Sequence, residues 1–149
     1  MDVPRDTLGS IGYLTNLAGR LLVRALERRM AGGSAGPMPV FLALNDGNAL
    51  PQKELARLAA VEQPTMANTL ARMERDGLVI GEPDPTDRRS TLLRLTPSGR
   101  ARANAALAAA GTVNAVALSA LTPDERQPFL DMLRRVIAVL DADGQRTDA

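Results

Sequence analysis

The stretch that decides the fold of this chain is residues 51–95, which read PQKELARLAAVEQPTMANTLARMERDGLVIGEPDPTDRRSTLLRL. Pro51 suits the first position of a helix, because proline lacks the N–H that would otherwise go unpaired there. After a turn at residues 60–63, Pro64 opens a second helix, and Gly77 suits the left-handed cap that ends it. Two short helices joined by a tight turn predict a helix-turn-helix unit.

The second of these helices, at residues 64–76, is amphipathic. The residues expected on its buried face recur at i, i+4 and i+7 and are Met66, Leu70 and Met73. The polar residues on another face are Thr65, Asn68, Thr69 and Arg72. Asparagine and arginine hydrogen-bond the edges of adenine and guanine, so this face favours DNA recognition in the major groove. Polar residues opposite apolar ones are also typical of any surface helix, and that interpretation stays open here.

A β-wing is predicted directly after the helix-turn-helix. Residues 78–80 and 91–95 each favour a short strand, and a turn-rich loop separates them. Arg88 and Arg89 lie at the tip of this loop, where exposed arginines can enter a minor groove. Asp87 is placed to hold one of the two guanidinium groups by a bidentate hydrogen bond. The alternative is a solvated hairpin whose charges only protect the edge of a sheet.

The candidate DNA contacts divide by chemistry. Lys53 and Arg57, both in the first helix, are expected to contact phosphate, as are backbone N–H groups at the helix starts. The candidates for base recognition are Gln63, Thr65, Asn68, Thr69 and Arg72. Arg72 and Asn68 are the strongest of them, whereas Thr65 and Thr69 suit either a phosphate or a thymine methyl group. The predicted DNA-binding residues are Lys53, Gln63, Pro64, Thr65, Asn68, Thr69, Arg72, Asp87, Arg88 and Arg89.

Helices flank this unit on both sides. Apolar periodicity predicts them at residues 7–31 and 97–142, and a short helix at residues 38–44. The fold class is therefore mainly α with a small β-wing, with a winged helix-turn-helix at residues 37–96 of a single protomer spanning 1–149. Long terminal helices have little globular body to fold against. We therefore favour a core shared with a second chain, through dimerisation helices, over an intramolecular core.

Composition excludes several functions. The 149 residues contain no Cys and no His, which removes thiolate nucleophiles, Cys/His zinc sites and imidazole bases. Aromatic residues make up 2% of the chain, so a base-stacking surface is not expected. We expect no enzyme, no cofactor and no metal. No apolar run is long enough to span a membrane and no signal peptide is evident, so we expect a cytoplasmic protein.

Four short motifs follow one another in a fixed order. They are Gln52-Lys53-Glu54-Leu55-Ala56, Glu74-Arg75-Asp76-Gly77-Leu78-Val79, Pro83-Asp84-Pro85-Thr86-Asp87-Arg88-Arg89 and Leu95-Thr96-Pro97-Ser98-Gly99-Arg100. Across residues 40–102 the chain thereby resembles the MarR family of winged-helix transcriptional regulators. The resemblance implies a homodimer joined by its N- and C-terminal helices, and a recognition helix at residues 64–76 in the major groove of double-stranded DNA. It also implies that Arg89 enters the minor groove with Asp87 as its partner.

The resemblance further implies control by a ligand. A small aromatic or anionic effector would bind between the dimer helices and the winged helix and would shift the population away from the DNA-binding state, with repression as the default. Candidate contacts are Tyr13, Arg20, Met38 and Phe41, with Arg24 as an alternative to Arg20. The operator should be a short pseudo-palindrome with half-sites about one DNA turn apart. The alternative function is a winged-helix module that docks a protein or binds DNA without specificity.

The chain departs from the family pattern at three points. Pro51 stands where a Thr or Ser cap is frequent, and Ala60 stands where the turn usually carries glycine. We expect Ala60 to hold the right-handed helical conformation, so that neither change breaks the fold. Because the chain has no Cys and no His, the peroxide-sensing and zinc-sensing modes of some members are not expected.

Overall fold

The computed structural model of the protein describes residues 9–30 and 33–147. The chain divides into two compact units, which are residues 1–113 and residues 114–149. The ends of the predicted first helix, at residues 7–8 and 31, lie outside the described residues. The elements are, in chain order, α1 (Ile11–Glu27), α2 (Met38–Leu44), β1 (Leu50–Pro51), α3 (Gln52–Ala59), α4 (Gln63–Arg75), β2 (Val79–Pro83), β3 (Thr91–Leu95), α5 (Pro97–Leu118) and α6 (Pro123–Thr147).

The core of the first unit is built mainly of aliphatic side chains, as expected from a chain with few aromatic residues. Val40, Leu44, Leu55 and Met73 are fully buried, and they come from α2, α3 and α4. Each such side chain stabilises the fold by about 1.5–3 kcal/mol. Further members of the core come from the sheet and from α5, and they are Leu78, Val79, Leu93, Leu95, Ala103 and Ala106.

The sheet has three antiparallel strands in the order β1-β3-β2. β2 and β3 pair along their whole length, with Val79 opposite Leu95, which confirms the predicted wing. β1 was not predicted, because two residues carry no alternating pattern; its Pro51 lies opposite Leu92. Pro51 is extended, with φ −72° and ψ 155°, and precedes α3 as its cap. The prediction that it is the first helical residue was wrong, because pairing with β3 holds it in sheet geometry on an edge strand.

The turn between α3 and α4 depends on a left-handed residue. Ala60 has φ 51° and ψ 44°, so the predicted right-handed conformation was wrong. α3 ends at this point with the N–H of Val61 bonded back to the carbonyl of Ala56 at 3.1 Å, a helix end that is built on a positive φ at the preceding residue. Gly77, with φ 71°, occupies the turn after α4, as predicted.

Two helices expose most of their apolar residues. In α1, Leu26 is the one buried residue, and Ile11 is 58% exposed. In α6, none of residues 123–146 is buried, and Val139 is 67% exposed. α6 continues to Thr147, beyond the predicted end at residue 142. Each helix therefore carries an apolar surface that its own unit leaves uncovered.

Helix length and hydropathy give no clear membrane span. Within the described ranges, no single helix is long and apolar enough to cross a membrane. α5 and α6 meet the criterion only as a pair across the bend that separates them, which is weak evidence on length and composition alone.

Candidate nucleic-acid interface

Helix α4 buries one face and presents another to solvent. Met66, Leu70 and Met73 are 3%, 4% and 1% exposed, which confirms the predicted buried stripe. Asn68 and Arg72 are exposed and lie one turn apart on another face. No hydrogen bond or ion pair in the described part of the chain occupies either of their side chains. This face therefore offers an amide and a guanidinium, the groups that match purine edges.

The first turn of α4 is open to solvent. Gln63, Pro64 and Thr65 are exposed, and no side chain among the described residues caps this helix end. The first N–H groups of a helix have no intrahelical acceptor, so this end suits a phosphate oxygen. Thr69 is only half-exposed, and its hydroxyl donates to the carbonyl of Thr65 at 3.2 Å. The Thr69 hydroxyl is thus already engaged within the helix.

Helix α3 places one lysine beside the recognition helix. The side-chain amide of Gln52 donates to the carbonyl of Gln63 at 3.4 Å and ties the starts of α3 and α4 together. Lys53, in the first turn of α3, is exposed next to this tie. Arg57 is paired with Glu54, with an Nε–Oε2 distance of 3.0 Å, and this arginine holds the pKa of the Glu54 carboxyl below its usual value. Lys53 is the better phosphate contact of the two basic residues, because Arg57 already has an acidic partner.

The wing loop is closed by its own hydrogen bonds. The Asp84 carboxylate accepts two hydrogen bonds from Thr86, one from its backbone N–H at 2.8 Å and one from its side-chain hydroxyl at 2.7 Å. Both bonds lower the pKa of Asp84. The N–H of Asp84 donates to the carbonyl of Ser90 at 3.0 Å. The loop is therefore a defined turn that presents the two arginines from a fixed base.

Asp87 does not hold a guanidinium, contrary to the sequence-based expectation. Its carboxylate accepts the backbone N–H of Arg89 at 3.0 Å, and its carbonyl accepts the N–H of Ser90 at 3.0 Å. A carboxylate two residues before an N–H forms this local turn readily, and the backbone donor satisfies the carboxylate oxygen. Arg88 and Arg89 are exposed, and within the described residues neither forms an ion pair.

An open groove of about 420 Å³ lies between α4 and the wing. Lys53 lines it from the start of α3, Arg89 lines it from the wing, and Ala71 and Glu74 line it from α4. Two predicted DNA contacts that are distant in sequence, Lys53 and Arg89, therefore share one surface. Two basic side chains outweigh the one carboxylate of Glu74 in this groove, and a positive excess favours an anionic occupant such as a DNA backbone.

Glu74 also lines this groove, and the sequence analysis did not single it out as a site residue, because no local pattern places the wing beside this carboxylate. Its Oε1 atom lies 3.7 Å from the position that a Cβ on Gly81 would take, so the carboxylate lies next to the backbone of β2. The available signal was the pair Ala67 and Ala71, four residues apart on the same flank of α4, where small side chains allow the wing to approach.

The predicted ligand contacts are not gathered at one place. Phe41 is 2% exposed and belongs to the core, and Met38 packs against that core. Tyr13 and Arg20 lie on the exposed surface of α1. A wide-open pocket of about 560 Å³ lies along α1. Arg20 and Arg24 line it together with Thr15, Asn16, Gly19, Val23 and Glu27. Of the predicted ligand contacts, Arg20 and its alternative Arg24 are thus the ones that share a surface.

A helix-turn-helix followed by a β-hairpin, with a polar recognition face and a basic wing, defines a winged-helix DNA-binding protein. Comparison with known proteins agrees. The MarR family model matches residues 38–90. The transcriptional repressor NicR of Pseudomonas putida is 35% identical over 138 residues, covering 91% of this chain and 87% of NicR.

Two solved structures extend the comparison. The PcaV transcriptional regulator from Streptomyces coelicolor, solved with its natural ligand, is 25% identical with a TM-score of 0.80 and covers 92% of this chain and 98% of its own. BpsR of Bordetella bronchiseptica, whose DNA binding is regulated by 6-hydroxynicotinic acid, is 26% identical with a TM-score of 0.75, over 85% and 97%. This chain belongs to the MarR family and is a DNA-binding transcriptional regulator.

Proposed function

We propose that this protein is a homodimeric repressor that recognises a pseudo-palindromic operator and releases it when a small ligand binds. The observation that carries the proposal is the joint exposure of Asn68 and Arg72 on α4, beside a wing with exposed Arg88 and Arg89. The first pair suits base edges in the major groove, and the second suits the negative potential of a minor groove. Both pairs lie in the part of the chain that the family model matches.

The remaining interface residues position the protein on the duplex. Lys53 and the open start of α4, at Gln63 to Thr65, suit phosphate oxygens and set the register of the recognition helix. Asp87 organises the backbone of the wing tip through the N–H of Arg89. Phosphate contacts of this kind supply affinity without sequence information, so we assign specificity to Asn68 and Arg72.

The dimer follows from the uncovered apolar helices. Three apolar side chains of α1 are each more than half exposed, and they are Ile11, Leu14 and Leu21. The same holds in α6 for Ile137, Val139 and Leu140. Large exposed apolar patches are rare on soluble monomers, and a second copy that covers them would remove this cost. A two-fold dimer would set its two recognition helices about one DNA turn apart, which predicts a pseudo-palindromic site.

The effector is proposed to be a small anionic aromatic compound. Arg20 and Arg24 lie four residues apart on the open surface of α1, with Thr15 and Asn16 beside them as neutral hydrogen-bonding groups. Guanidinium groups pair with carboxylates in bidentate geometry. Support comes from the relatives, since BpsR responds to 6-hydroxynicotinic acid. The relatives are bacterial proteins, and a regulator of bacterial genomic DNA would act in the cytoplasm. The proposed function involves no catalysis.

Selection of bound fragments from a genomic DNA pool, at near-physiological salt, tests the proposal. We expect an enriched pseudo-palindrome with half-sites about one turn apart for the wild type. The Arg72→Ala/Arg89→Ala double variant, checked for an unchanged helical circular-dichroism spectrum, should enrich no sequence. Equal enrichment by both proteins would overturn the assignment of the interface. No enrichment by either protein would favour a winged-helix module that docks a protein.

A further inference from the structure

The segment that joins the wing to α5 is bonded directly to the end of the recognition helix. The backbone N–H of Thr96 donates to the carbonyl of Leu78 at 3.0 Å. Its hydroxyl donates to the carbonyl of Gly77 at 2.5 Å, and the same hydroxyl oxygen accepts the N–H of Gly99 at 3.0 Å. One threonine side chain therefore links the first turn of α5 to the turn that ends α4.

Gly99 brings the two backbones into close approach. A Cβ on this residue would lie 1.9 Å from the carbonyl oxygen of Leu78 and 2.8 Å from its carbonyl carbon. Gly99 is buried, so the contact excludes solvent. No side chain fits here without moving one backbone away from the other. We call Gly77, Leu78, Thr96 and Gly99 together the clasp.

The acceptor side of the clasp is continuous with the last turn of α4. The N–H of Leu78 donates to the carbonyl of Met73 at 2.8 Å, and the N–H of Gly77 donates to the carbonyl of Glu74 at 3.0 Å. Leu78 itself is 6% exposed and belongs to the core. A displacement of the first turn of α5 is thus passed to the end of α4 through short hydrogen bonds, without a flexible linker between them.

We propose that the clasp is a positioning device that fixes the angle between α4 and α5, and that Thr96 thereby sets the half-site spacing that the dimer accepts. This inference rests on the proposed function, in which two recognition helices bind one operator. The part of α5 in the first unit, residues 97–113, is about 25 Å long. A rotation of about 8° at one end displaces the other end by about 3.4 Å, the rise of one base pair.

The test uses the full-length dimer and the operator recovered by genomic selection, together with duplexes whose half-sites are one base pair closer or farther apart. Thr96→Val removes the hydroxyl at nearly constant shape, and Thr96→Ser retains it. We expect the wild type and Thr96→Ser to prefer the natural spacing. For Thr96→Val, we expect this preference to fall by about tenfold while affinity for a single half-site stays within about threefold.

A structural readout separates loss of the angle from loss of the fold. The chain has no cysteine, so Arg75→Cys places one spin label per protomer on the exposed end of α4. Electron-electron distance measurements should show one narrow inter-protomer distance in the wild-type background and in Thr96→Ser. In Thr96→Val that distribution should broaden, with a helical circular-dichroism spectrum like that of the wild type.

The outcomes distinguish a failure of the proposed role of the clasp from a failure of the proposed function. A spacing preference and a narrow distance that both persist in Thr96→Val overturn the role of the clasp alone. A wild type without any spacing preference overturns the dimeric recognition of two half-sites, and the role of the clasp with it. A preference lost equally in Thr96→Val and Thr96→Ser also overturns the proposal, because the serine hydroxyl can make the same two hydrogen bonds.

Discussion

The Asp87 carboxylate is bonded to the backbone N–H of Arg89 at 3.0 Å, so it shapes the wing tip without neutralising a guanidinium. This contact assigns Asp87 an indirect role in DNA binding. An acceptor oxygen is required at this position, but a negative charge is not. The carbonyl oxygen of an asparagine side chain can serve the same turn.

Substitutions of Asp87 should therefore separate shape from charge. Asp87→Asn should bind operator DNA with an affinity within about twofold of the wild type. Asp87→Ala should lose about 0.5–1.5 kcal/mol of binding free energy, because one hydrogen bond that orders the turn is missing. Fluorescence anisotropy with labelled operator measures both. If Asp87→Asn binds as poorly as Asp87→Ala, a charge-dependent contact to Arg89 operates in the complex.

Removal of the acid in the groove should strengthen DNA binding. Glu74 shares its groove with Lys53 and Arg89, and a carboxylate there repels a phosphate backbone. Glu74→Gln should tighten binding about two- to fivefold at low salt, with a smaller gain as salt screens the charge. Asp46→Asn, which removes an equal charge from the exposed turn after α2, is the matched control. An equal gain in both variants would show a net-charge effect and would remove Glu74 from the interface.

Ala60 carries backbone strain that a glycine would relieve. Its φ of 51° places it in the left-handed region, where a Cβ costs about 1–2 kcal/mol and glycine pays a smaller entropic cost. Ala60→Gly should raise the free energy of unfolding by up to about 1 kcal/mol in urea titrations. Ala59→Gly, in the last turn of α3, should lower it by about the same amount. A destabilised Ala60→Gly would contradict the left-handed turn.

The wing turn should weaken in acid. Because Thr86 donates two hydrogen bonds to the ionised Asp84, the folded pKa lies below the usual value of 3.8. The stabilisation is therefore present above pH 3.8 and is lost as the pH falls further, through the folded pKa. The amide proton shift of Thr86 in NMR spectra should report this transition. Asp84→Asn should keep the turn and lose the pH dependence, and a transition centred above pH 3.8 would contradict the assignment.

Periodicity and local turn chemistry were sufficient to predict most of the fold. The buried stripe of Met66, Leu70 and Met73 follows from helical spacing, and the cap at Gly77 follows from the freedom of glycine at positive φ. The wing strands were predicted because a turn-rich loop separates two short apolar runs. These features depend on residues close in sequence, so the sequence carries them directly.

The parts that sequence reasoning missed depend on tertiary pairing or on competition for one acceptor. Pro51 is extended because it pairs with β3, which no local pattern records. Asp87 had two possible donors, the guanidinium and the N–H of Arg89, and the backbone geometry of the loop decides between them. Glu74 faces a groove that exists only once the wing packs beside α4.

Base-by-base binding to the operator tests most directly whether α4 recognises sequence. The affinities of the wild type and of Arg72→Ala are measured on duplexes in which each base pair is exchanged in turn. For the wild type, exchanging one particular base pair in each half-site should cost about 1–3 kcal/mol of binding free energy. Arg72→Ala should no longer distinguish the base pairs at that position, and its preferences at the other positions should be unchanged. A uniform loss of affinity on every duplex would contradict base recognition by Arg72 and would make it a phosphate contact.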